Sequence, residues 1–86
     1  MKDFFARKYR GRQFEFTRVL SGSFDPWYHI LVRLDNTDIK FRMHCNKAGD
    51  WKITAERLPV FLYSLEAEFS ELILLNEKPS PPGHLH

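Results

Sequence analysis

Cysteine is nearly missing from this chain: Cys45 is the only one in 86 residues. That excludes an internal disulfide framework and an all-thiolate zinc site. No apolar run approaches the roughly 20 residues that a membrane-spanning helix needs, and Met1-Lys2-Asp3-Phe4-Phe5 does not have the form of a secretory signal. With four glycines, the sequence has no phosphate-cradling glycine loop, no Gly-x-Ser-x-Gly elbow and no His-Glu-x-x-His helix. The expectation is a soluble, cytoplasmic, non-enzymatic protein with no cofactor and no membrane attachment. A chain this short holds one core and buries roughly 60–65% of its unfolded surface.

Aromatic residues are plentiful by contrast. Eight Phe, three Tyr and two Trp make up 15% of the chain and supply much of its core volume. The formal charge of +2 hides an asymmetry. Residues 1–18 carry Lys2, Arg7, Lys8, Arg10, Arg12 and Arg18 against Asp3 and Glu15, a net of +4. Residues 56–77 carry five glutamates against Arg57, a net of −4. Opposite-sign surfaces follow, the basic one suited to an anionic partner and the pair suited to mutual neutralisation in a dimer.

Four segments alternate apolar and polar residues with the period of a half-buried strand. They are Gln13–Leu20, Trp27–Leu34, Ile39–Cys45 and Trp51–Ala55. The links between them contain Ser21-Gly22-Ser23 with Asp25-Pro26, then Asp35-Asn36-Thr37-Asp38, then Asn46-Lys47-Ala48-Gly49-Asp50. Links so short require antiparallel neighbours. Beyond them Leu58, Leu62, Leu65, Phe69, Leu72 and Ile73 recur at helical spacing, with Pro59 fitting the first turn and the end near Asn76. The N-terminal dozen residues read two ways: a short helix capped by Asp3 through Phe4, Phe5 and Tyr9, or an extension of the first strand. The predicted fold is therefore α+β: a four-stranded antiparallel meander with one C-terminal amphipathic helix on one face (ββββα), in two layers. Residues 1–77 form the domain. The Pro-rich tail 78–86 is expected to be disordered, with a loose PxxP spacing in Pro79-Ser80-Pro81-Pro82.

In that fold the helix covers Phe14, Phe16, Tyr28, Ile30, Phe41, Met43, Trp51 and Ile53. Cys45 shares the row of Ile39, Phe41 and Met43 and is expected in the core, inert, with His44 turned to the other face. The opposite face displays Trp27, His29, Leu31, Arg33, Lys40, Arg42, His44 and Lys52, with no carboxylate on it and Glu15 as the acidic neighbour. His29 and His44 share this face without a third metal ligand, so no metal site is expected. Two functions fit the face. One is a protein-interaction surface, self-association included, which predicts a homodimer or another protein partner. The other is single-stranded nucleic acid, with Arg33, Lys40, Arg42 and Lys52 on phosphates and Trp27 stacking a base, helped by Arg10 and Arg12 of the aromatic-interleaved N-terminus. No small-molecule cofactor is evident.

The run Phe41-Arg42-Met43-His44-Cys45-Asn46-Lys47-Ala48-Gly49-Asp50-Trp51-Lys52-Ile53-Thr54-Ala55-Glu56, within the hairpin Ile39–Glu56, resembles the first hairpin of PUR repeats. Those are ββββα units of single-stranded nucleic-acid-binding proteins that work as intertwined pairs, and the order of strands then helix is similar here. The resemblance implies a homodimer and sheet-mediated binding of single strands, with Lys52 as a contact. Here the hairpin holds strands three and four, whereas it opens the PUR repeat.

Overall fold

The computed structural model describes residues 2–20, 25–55 and 57–78. Five strands, β1 (Phe4–Tyr9), β2 (Arg12–Val19), β3 (Trp27–Leu34), β4 (Thr37–Cys45) and β5 (Trp51–Ile53), precede two helical segments, α1 (Val60–Ser64) and α2 (Glu66–Glu77). The strands lie in sequence order and every neighbouring pair is antiparallel. The α+β meander with a C-terminal helix is thus present, with five strands rather than four. The extra one comes from the N-terminal segment, which is neither a helix nor a continuation of the next strand.

Backbone turns explain that difference. Arg10 and Gly11 both take positive φ, 50° and 77°, and link Tyr9 directly to its partner Arg12. Two consecutive positive-φ residues are the pattern of the tight hairpin turn whose twist matches its flanking strands. Asp35 (49°) and Asn36 (63°) repeat it between β3 and β4. Only those two residues are needed there, so Thr37 and Asp38 belong to β4. In the third link Asn46 organises the loop, its Oδ1 accepting from the backbone N–H groups of Ala48 (3.0 Å) and Asp50 (2.9 Å). Gly49 supplies a φ of 90°.

The helical face of the sheet is the core. Phe14, Phe16, Tyr28, Ile30, Phe41, Met43 and Trp51 are buried as the alternation predicts, and Ile53 is half-buried. Phe69 of α2 sits at the centre, its ring 5.1 Å from Phe14, 5.6 Å from Phe16, 5.8 Å from Tyr9 and 6.0 Å from Phe41. Phe5 of β1 stacks on Phe16 at 4.7 Å. The expected single helix is broken at Leu65 (φ −96°, ψ 1°), whose N–H donates to the Leu62 carbonyl at 3.1 Å. Ser64 accompanies the break by donating its hydroxyl to the Phe61 carbonyl at 2.5 Å, a local bond that competes with helix continuation. Leu62, Leu65, Phe69 and Ile73 all become buried. Pro59 lies one residue before α1 with an extended ψ of 138°.

Three expectations need correction. Cys45 is exposed. It does lie opposite buried Trp51, so its side of the sheet is as expected, but it ends the row at the margin of the helical layer. Leu20 lies past the end of β2 and is 62% exposed. Ala55 follows β5 rather than extending it, and its carbonyl accepts from the Tyr63 hydroxyl at 2.8 Å. Ser21-Gly22-Ser23, Glu56 and the Pro-rich tail from Pro79 onward lie outside the described residues. No helix among the described residues is long and apolar enough to cross a membrane.

Candidate functional site

Among the described residues no helical layer covers the second face of the sheet, and the strand register fixes which side chains share it. Val19, Trp27, His44 and Lys52 form one row across β2 to β5. Phe4, Thr17, His29 and Arg42 form the next, followed by Ala6, Glu15, Leu31 and Lys40. Lys8, Gln13, Arg33 and Asp38 complete the face. Trp27, His29, Arg33, Lys40, Arg42, His44 and Lys52 therefore come together on one surface. Arg10 and Arg12 do not join it. Arg10 occupies the β1–β2 turn, and Arg12 belongs to the opposite face, where its guanidinium lies 5.4 Å from the Phe61 ring.

Charge on the face is more balanced than the alternation predicts. Because β4 begins at Thr37, Asp38 stands on this surface and pairs with Arg33 at 3.0 Å. A face without carboxylates is thereby corrected: it holds Glu15 and Asp38. Lys52 is also engaged, reaching Glu66 of α2 at 3.5 Å. Both pairs are solvent-exposed and contribute little to stability, yet each neutralises a cation that a phosphate would need. Lys40 and Arg42 are exposed and outside any ion pair among the described residues.

Trp27 is the organising side chain. Arg42 lies over its ring with the guanidinium carbon 4.5 Å from the centroid, within cation–π range. His44 stacks beside it, centroids 5.8 Å apart and planes 15° apart. The indole is consequently half-buried by its own neighbours and only part of its π surface is free. Sequence reasoning placed all three residues on one face. It missed Phe4, Lys8 and Asp38, because β1 and the first residues of β4 are not legible as strand; the Arg10-Gly11 pair is the available turn signal.

At one end of the sheet a second polar cluster ties the layers together. Glu77, in the last turn of α2, accepts from Arg18 Nε at 2.6 Å, from an Arg18 terminal nitrogen at 3.2 Å and from the Tyr28 hydroxyl. Asn76 Nδ2 donates to the Tyr28 oxygen at 2.7 Å and to the Lys2 carbonyl at 2.8 Å. Burial, and then the Glu77 carboxylate, push the Tyr28 hydroxyl well above the usual phenol range. For Glu77 burial pushes the carboxyl up, but the Arg18 and Tyr28 hydrogen bonds and the Arg18 charge outweigh it and hold it below the usual range. This is a structural clamp: Arg18, Tyr28, Asn76 and Glu77 satisfy one another across the two layers. Compared with protein families, curated proteins and solved structures, the chain finds no match.

Proposed function

We propose that this protein is a non-enzymatic interaction module that self-associates through its sheet. The observation that carries the reading is the one-sided cover: two helical segments bury one face, while the other keeps Val19, Trp27 and Leu31 only half-buried. A small two-layer domain of this kind has apolar sheet surface left over for a partner. Sedimentation equilibrium from micromolar to millimolar protein tests it. A mass twice the 10.3 kDa protomer is expected; the protomer mass across that whole range overturns it.

A second reading, single-stranded nucleic acid on the same face, is favoured by one specific feature: Arg42 and His44 flank Trp27 beside exposed Lys40. Cations next to an indole suit phosphate contact and base stacking together. The PUR-like hairpin, here β4 and β5, points the same way by analogy, although five strands rather than four precede the helical segments. Two of the expected phosphate ligands, Arg33 and Lys52, are held by Asp38 and Glu66. That is why self-association stands first.

A further inference from the structure

We propose that two copies of this chain dimerise by pairing their β1 edges antiparallel about a two-fold axis at Ala6, joining both sheets into one of ten strands. The proposal rests on the self-association reading and assigns it to the sheet edge rather than to the open face.

The two edges of the sheet differ. At β5 the outward N–H groups are already used: Trp51 donates to Ser70 Oγ at 3.2 Å, and Ile53 donates to Glu66 Oε2 at 2.9 Å. Side chains of α2 thus seal a strand of only three residues. β1 is twice as long. Its hydrogen bonds to β2 fall on the odd-numbered residues, as shown by the Arg18 N–H donating to the Asp3 carbonyl at 2.8 Å and by the two-residue turn that closes on Tyr9 and Arg12. Antiparallel alternation then turns the N–H and C=O groups of Phe4, Ala6 and Lys8 away from the sheet. No loop or side chain among the described residues bonds to them. An unsealed edge of this length is a template for another strand.

The sequence of β1 selects the partner and the register. The pairing axis must pass through a residue, because hydrogen-bonded positions oppose only their own kind. An axis at Arg7 or Lys8 sets that cation against its own copy, and one at Phe4 or Phe5 leaves at most three residues of the strand paired. An axis at Ala6 sets Phe4 opposite the partner's Lys8 and Phe5 opposite the partner's Arg7. Each cation then lies across an aromatic ring, and the small Ala6 methyl groups meet at the axis. The flanks agree. A groove of about 340 Å³ runs between β1 and α2, lined in part by Phe5, Arg7, Leu72 and Leu75. Leu75 is 67% exposed and Phe4 55%. A two-fold axis normal to the sheet keeps both helical layers on one side, so the two grooves face each other and cover Leu75.

Sedimentation equilibrium on four variants tests the edge. Ala6→Pro removes an N–H that bonds to nothing among the described residues, a position where an edge strand tolerates proline. Phe4→Lys places a cation opposite the partner's Lys8 twice in the dimer, and Phe4→Glu reverses its sign. The expected result is a dimeric wild type, a protomer-mass Ala6→Pro, a Kd raised about tenfold or more by Phe4→Lys, and tighter association for Phe4→Glu than for Phe4→Lys. Leu31→Glu, on the open face, leaves the dimer intact. Where Ala6→Pro fails to fold, the ordering of the two Phe4 variants decides. A dimer that Leu31→Glu dissociates, or that Phe4→Lys leaves intact, overturns the edge while self-association stands. A wild type of protomer mass overturns both.

Discussion

Arg18 of β2 and Glu77 of α2 meet at 2.6 Å across 59 residues of sequence, with side chains only 12% and 20% exposed. The pair sits where the helix dipole disfavours a carboxylate, in the last turn, and Arg18 offsets that cost. Tyr28 adds its hydroxyl to the same carboxylate. The contact ties the C-terminal end of α2 to β2 and, through Tyr28, to β3.

Glu77→Gln is expected to destabilise the fold by about 1–3 kcal/mol at neutral pH, the range for a partly buried charge-assisted bond. The folded Glu77 carboxyl titrates below its unfolded value. Its contribution is therefore present above the unfolded carboxylate range, near about 4.3, and is lost as pH falls through the folded value. Urea unfolding of both proteins from neutral to acidic pH checks this. The gap between them must close on the acid side; a constant gap would show that the charge is not what matters.

Phe69→Ala removes the ring around which Tyr9, Phe14, Phe16 and Phe41 assemble. Large-to-small changes of this kind cost about 3–5 kcal/mol, a large share of the roughly 5–15 kcal/mol available to a small domain. The urea midpoint should collapse, leaving a marginal or unfolded protein. Phe69→Leu should recover more than half of the loss. A cost below about 1 kcal/mol for Phe69→Ala would mean the aromatic cluster is not the core.

Cys45 should react with a soluble thiol reagent in the native protein nearly as fast as in the unfolded chain. Its Sγ makes one long contact, 3.5 Å to the Asn46 carbonyl, and the residue is exposed. Labelling slower by orders of magnitude would mean that the end of β4 is covered, by the helical layer or by a partner.

Cys45 also shows where sequence pattern stops being informative. Alternation along Ile39, Phe41, Met43 and Cys45 gives the correct side of the sheet, but Cys45 lies one row past Met43, at the margin of the helical layer, and no local pattern encodes where that margin falls. Four strands were legible because apolar and polar residues alternate strongly in them. β1 was not, since Phe4, Phe5, Ala6 and Tyr9 satisfy no single period, and pairing with β2 decides its conformation. Local pattern places Asp38 in a turn because Asp and Asn are turn formers. Asp35 and Asn36 alone accept both positive φ angles, which frees Asp38 for the strand and for Arg33. The kink at Leu65 is equally local, invisible to a spacing rule that runs straight through it.

The altered charge of the open face gives a sharp test of the nucleic-acid reading. With Arg33 on Asp38 and Lys52 on Glu66, Lys8, Lys40 and Arg42 are left to neutralise phosphates. Each single-strand contact adds about 0.7 to the slope of log affinity against log salt, so three contacts give roughly −2.1. Asp38→Asn releases Arg33 and should steepen the slope to roughly −2.8, whereas Arg42→Gln should flatten it to roughly −1.4. Trp27→Ala should cost about 1–3 kcal/mol of stacking and barely move the slope. Fluorescence titration of a short single strand at two or more salt concentrations reads all four values. A slope unmoved by Asp38→Asn would place the contacts elsewhere. No binding even at low salt, where exposed charges act over the longest range, would remove nucleic acid as a partner and leave the face to protein.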